Sequence, residues 1–199
     1  WVLMRSMLPM VDHLHWRNFA AVLWIQLLAL LLLGSSAVSA DNAKGPSPLV
    51  QLQTESATLS IGSNGSLLAF SRRSDGVDYL AKNQPAPLLS LRSGGTLLAP
   101  DGATWDATAH RLTLRFGKSG LSAQVRVISK TSHITFELIE ISPAGSADLA
   151  VWGPYPTSIR KTVGEVGGVV RDDTFALGLQ ALNIKTLGGY PENDEGSAD

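Results

Sequence analysis

The chain has 199 residues, 16 basic against 17 acidic, and a net charge of −1, with no basic stripe or like-charge run. Nucleic acid is therefore a poor partner, because phosphate binding needs clustered Lys and Arg. The absence of cysteine excludes a disulfide framework, a thiolate metal site and a cysteine nucleophile.

Residues 1–40 read as a signal peptide with a helical apolar core. Arg5 and Arg17 supply positive charge, and Ala20 to Leu33 is a 14-residue apolar run broken only by Gln26. Val38-Ser39-Ala40 then offers small side chains before a cut. Spanning a bilayer takes about 20 apolar residues, so the membrane is expected as a transient partner only. Cleavage after Ala40 leaves 159 residues (199 − 40) in a secreted or periplasmic location. Trp1 stands where an initiating Met is expected, and Glu192 to Asp199 closes on no hydrophobic element. The expectation is a fragment truncated at both ends, with a domain incomplete at its C-terminus.

Residues 41–55 form a flexible lead-in, polar and marked by Pro46 and Pro48. From residue 56 the pattern is one of strands. Thr58 to Ile61 alternates, and Asn64-Gly65 turns the chain into Ser66 to Ser71. Asn64-Gly65-Ser66 would be a glycosylation acceptor in a eukaryotic secretory route, but it reads first as turn chemistry, since Asn-Gly supplies positive φ at little cost. Arg111 to Phe116 is the clearest half-buried strand, with Leu112, Leu114 and Phe116 on one face and Arg111, Thr113 and Arg115 on the other. Gly117 to Gly120 turns into Leu121 to Ile128, and Lys130-Thr131-Ser132 turns into His133 to Ile141. Strands recurring every 10 to 12 residues predict an all-β, antiparallel sandwich over residues 56–199.

Two segments, Asn64-Gly65-Ser66-Leu67-Leu68-Ala69-Phe70 and Asp75-Gly76-Val77-Asp78-Tyr79-Leu80, precede the apolar Pro87-Leu88-Leu89-Ser90-Leu91. This order resembles the opening of a galactose-mutarotase-like β-supersandwich. Such domains accompany the catalytic domains of secreted bacterial glycoside hydrolases and polysaccharide lyases. The resemblance implies a truncated supersandwich that contacts carbohydrate, with catalytic residues in another part of the polypeptide. The alternative is a stand-alone carbohydrate-binding or adhesion module without catalysis.

The densest candidate chemistry runs from Val151 to Tyr190. Trp152 and Tyr155 are kept out of regular pairing by Gly153, Pro154 and Pro156. Their rings can stack on the C–H faces of sugars. Equally, Trp152 can plug one end of the sandwich while Tyr155 caps a backbone carbonyl. Arg160 can clamp a uronate carboxylate in a bidentate fork, or pair on the surface with Glu165 or Asp172. Substrate-binding residues are therefore expected among Trp152, Tyr155, Arg160 and Glu165.

Catalysis has weaker candidates. Arg171-Asp172-Asp173-Thr174 reads as a hairpin tip, where Asp is favoured by the backbone alone. Glu137 and Glu140 lie three apart in an extended strand and are expected on opposite faces. A mutarotase-type acid and base would be His133 and Glu137, roughly 13 Å apart along a strand and too distant for one proton relay. Asn183 and Lys185 are expected on one face of an extended run, with Gln180 on the other. No metal is expected, since Glu192 to Gly196 lacks calcium-loop spacing, and no cofactor is expected, since the glycines at 164, 167 and 168 precede no helix.

Overall fold

The structure, a computed structural model, describes residues 2–7, 47–164 and 168–186. Its strands in chain order are β1 (Val2–Met7), β2 (Val50–Gln53), β3 (Ala57–Ile61), β4 (Leu67–Arg72), β5 (Leu89–Ser93), β6 (Thr96–Leu98) and β7 (Gly102–Asp106). There follow β8 (Arg111–Phe116), β9 (Leu121–Ser129), β10 (His133–Ser142), β11 (Leu149–Trp152), β12 (Thr162–Val163), β13 (Val169–Arg171) and β14 (Ala176–Ala181). A 3-10 turn at Gly117–Ser119 is the only helical element among the described residues. The all-β expectation therefore holds.

One sheet has eight strands in the order β12-β13-β14-β1-β10-β9-β8-β7, and two have three, β11-β5-β6 and β2-β3-β4. Every ladder is antiparallel. The three sheets share one apolar core, to which β3 gives Leu59 and Ile61, β5 gives Leu89 and Leu91, β8 gives Leu112 and Leu114, and β10 gives Ile134 and Phe136. Burying each such side chain stabilises the fold by about 1.5–3 kcal/mol. Period-2 alternation dictates this placement, most plainly in β8, where Leu112, Leu114 and Phe116 are buried while Arg111 and Arg115 are exposed.

The Asn64-Gly65 turn is held from inside and outside. Asn64 Oδ1 accepts the Ser66 N–H at 3.1 Å, and Gly62 N–H donates to Ser66 O at 2.9 Å. Gly65 has φ +79° and lies against the core, where an added Cβ would stand 2.9 Å from Leu114 Cδ2 and 3.0 Å from Pro100. Only glycine meets both demands.

Three local expectations need correction. The lead-in is shorter than residues 41–55, because Val50–Gln53 pairs with β3 and buries Val50 and Leu52. Glu137 and Glu140 share a face rather than opposing each other. The register shifts between Leu138 and Glu140, so that Glu137 stands opposite Arg126 and Glu140 opposite Gln124. A β-bulge inserts one residue and so reverses the facing of everything after it. Finally, β14 ends at Ala181. Asn183 turns the chain there, its Oδ1 accepting the Lys185 N–H at 2.9 Å, so Asn183 and Lys185 share no strand face.

Most of the segment expected as a leader lies outside the described residues. Its described part, Val2–Met7, forms β1 between β10 and β14.

Candidate functional site

The loop after β11 is fastened along its whole length. Trp152 pairs with Leu89, and Gly153, at φ +88°, turns the backbone so that an added Cβ would stand 3.0 Å from Tyr155 N. The Gly153–Pro154 peptide is cis. Pro156 O then accepts the Ala81 N–H at 3.0 Å, and Ser158 N–H donates to Tyr79 O at 2.9 Å. Thr157 bridges to Leu80, and its Oγ1 accepts the Ile159 N–H at 3.1 Å. Ile159 is buried. A loop tied at this many points presents its outer side chains in fixed positions.

The two aromatics expected to read sugars are turned inward to different degrees. Trp152 is half-buried and packs on the core, its ring 6.2 Å from Phe136 and tilted by 44°. The Tyr155 hydroxyl donates to Leu88 O at 2.6 Å. Burial pushes its pKa well above the ordinary phenol value, although the ring keeps partial exposure. Tyr155 thus caps a carbonyl, which is the structural one of the two roles open to it in sequence. Beneath its ring lies an apolar gap of about 10 Å³ bounded by Phe70, Tyr79, Leu80 and Leu177. That volume suits one water at most.

Outside this layer the loop borders a shallow open groove of about 510 Å³, lined by Gln84, Pro156, Thr157, Ile159, Arg160 and Val163. Small-molecule sites occupy about 300–1,000 Å³. The floor is apolar through Pro156, Ile159 and Val163, the last 68% exposed. Gln84 offers an amide, Thr157 a hydroxyl whose oxygen already accepts a backbone N–H, and Arg160 a guanidinium. Among the described residues no carboxylate pairs with Arg160. Its neighbour Lys161 is the residue that forms an ion pair, with Asp173. Glu165, the other expected site residue, lies outside the described residues.

Among the described residues, the carboxylates Asp78, Asp172 and Asp173 are all engaged. Asp172 Oδ1 accepts the N–H groups of Thr174 at 2.8 Å and Phe175 at 2.7 Å. These bonds, the Thr174 one foremost, hold its pKa below the ordinary carboxylate value. Asp78 Oδ1 accepts from Phe70 and Leu80 at 2.9 and 3.0 Å, and its other oxygen pairs with Lys82. The bulge in β10 does bring Glu137 and Glu140 to one sheet face, but there they bond Arg126 and Gln124 at 2.8 and 3.0 Å. Neither lines the groove. Among the described residues no group of three or more His, Asp or Glu side chains is placed to hold a metal ion.

Of the groove's lining residues, Arg160 was among those expected from sequence, whereas Gln84 and Val163 were not. Gln84 carries no motif, and comes to line the same groove as Arg160 where the Ala81 N–H bonds Pro156 O. Val163 sits at the exposed edge of the eight-stranded sheet. No family model matches the chain, and neither does any curated protein or solved structure; the galactose-mutarotase-like resemblance therefore gains no support from a relative.

Proposed function

We propose that this chain is the carbohydrate-contacting β-sandwich domain of a secreted carbohydrate-active enzyme, and that it binds acidic sugars through the Arg160 groove. The observation that carries this reading is a guanidinium without a carboxylate partner among the described residues, on the rim of an open groove with an apolar floor. Arg recognises planar anions bidentately, and a uronate presents such an anion beside hydroxyls that Gln84 and Thr157 can bond. The apolar floor suits the C–H face of the ring. Catalytic acids belong to another domain in this reading, because Asp78, Asp172 and Asp173, among the described residues, are committed to turn N–H groups and lysines.

Isothermal titration of oligouronates and their neutral counterparts tests the proposal. A charge-assisted hydrogen bond contributes about 1.5–3 kcal/mol, which is about a tenfold to hundredfold change in affinity. Arg160→Gln should lower uronate affinity by that factor and leave any neutral-sugar binding within twofold. Equal binding of acidic and neutral sugars by both proteins would defeat the uronate assignment. Binding with no hydrolysis or elimination by the full polypeptide would favour a stand-alone module.

A further inference from the structure

The most unusual feature of the eight-stranded sheet is the strand in its fourth place. Strand β1 lies between β10 and β14, although 42 residues separate Met7 from Val50. Its register is continuous on both sides. Val2, Leu3, Met4 and Arg5 stand opposite Phe136, Thr135, Ile134 and His133. Val2 through Met7 stand opposite Ala181 through Ala176. Being antiparallel to both, β1 leaves β10 and β14 parallel to each other and two strand spacings apart, roughly 10 Å. Without β1 they cannot hydrogen-bond to one another where they stand.

The stretch of β10 that faces β1 has the burial of sheet interior. Ile134, Thr135 and Phe136 are consecutive and all buried, which an edge strand with one wet side does not sustain. Natural edges carry lysine, proline or inward charge to prevent pairing with other chains. Ala176 to Ala181 carries none of these, and neither does Ile134 to Phe136. Unpaired backbone in such a position leaves N–H and C=O groups without partners.

We propose that the seam between β10 and β14 is a strand-binding site, filled in cis by residues 2–7 of the same chain and held by strand pairing rather than by covalent continuity. The reading is independent of the groove and its ligand. It has a topological consequence for the leader: a leader inserted by its apolar run keeps its positive end on the side of origin. Docking of β1 and translocation of the sandwich are then alternative fates of the same six residues, and a chain processed after Ala40 carries an open seam.

The test uses the full chain with a specific protease sequence inserted between Ala40 and Asp41, cut under native conditions and run on a sizing column. Residues 1–40 should co-elute with the body at the mass of one chain and separate in denaturant. In Leu3→Pro/Met4→Pro the fragment should elute apart, because proline removes a ladder donor and an interior strand uses donors on both sides. Release of the wild-type fragment from a body still folded by circular dichroism would overturn the proposal. Equal co-elution in wild type and variant would overturn it too, since the apolar run would then be the holding element. Co-elution at twice the mass would replace the cis occupant by a second copy. Amide exchange on the uncut chain gives a readout that survives poor folding of the cut form. Exchange at Ile134–Phe136 and Leu177–Leu179 should be at least tenfold faster in the double variant, with β8 unchanged; identical exchange in both chains overturns the assignment.

Discussion

Tyr155→Phe separates a carbonyl-capping tyrosine from a sugar-stacking one. The substitution removes only the hydroxyl, which donates to Leu88 O at 2.6 Å. Leu88 O keeps a second donor, the Gly153 N–H at 3.4 Å, so the loss is an ordinary hydrogen bond rather than an orphaned acceptor. That difference sets the cost at about 1 kcal/mol instead of the upper end near 3 kcal/mol. In a domain of this size it corresponds to about 2–4 °C in Tm. The pH dependence gives an independent check. Burial raises the phenol pKa in the folded chain above its ordinary value of 10.0, so its contribution is fully present below pH 10 and declines as pH rises toward the folded value. Each unit above 10 costs the wild type about 1.4 kcal/mol that Tyr155→Phe does not lose. The gap between the two proteins should therefore close by about pH 11. Urea unfolding at pH 7, 10 and 11 supplies the numbers. A gap that stays constant over this range would mean a solvated hydroxyl, and would return Tyr155 to the surface as a stacking platform.

Other outcomes follow from the same geometry. Asp172→Ala should destabilise the β13–β14 hairpin by about 1 kcal/mol at pH 7. Its carboxylate pKa is depressed in the fold, so its contribution is present above the unfolded carboxylate range and lost as pH falls through the folded value; wild type and variant should converge in acid denaturation. Gly65→Ala meets both a positive φ and the Leu114 and Pro100 side chains, and should cost about 2–3 kcal/mol, read as a lowered urea midpoint. Trp152→Ala, which strips a half-buried ring from Phe136, should cost about 2–3 kcal/mol and leave saccharide affinity in the Arg160 groove unchanged.

How much of this was legible depends on how far apart the interacting residues lie. Strand β8 was readable because the alternation of Arg111 to Phe116 is local and complete. The alternation Val50-Gln51-Leu52-Gln53 carries the same signal, obscured by the prolines just before it. The β10 bulge was not readable, because inserting one residue leaves no compositional mark and yet turns Glu140 to the face of Glu137. Tyr155 offered two roles in sequence, and the choice between them rests on Leu88, 67 positions away. The groove has the same character. Arg160 stood out as a charged donor in a proline-shaped loop, but Gln84 comes to line the same groove where the Ala81 N–H bonds Pro156 O. The hexapeptide Val2–Met7 reads as the charged start of a leader, and its place beside β10 depends on a register that no local pattern announces.

The account turns on whether the groove beside Arg160 receives a saccharide. Amide chemical-shift mapping during titration with an oligouronate measures this directly. The predicted result is saturable movement at Gln84, Thr157, Arg160 and Val163, absent in Arg160→Gln, with the Trp152 indole signal unmoved. Shifts confined to another face of the sandwich, or none at saturating ligand, would contradict it.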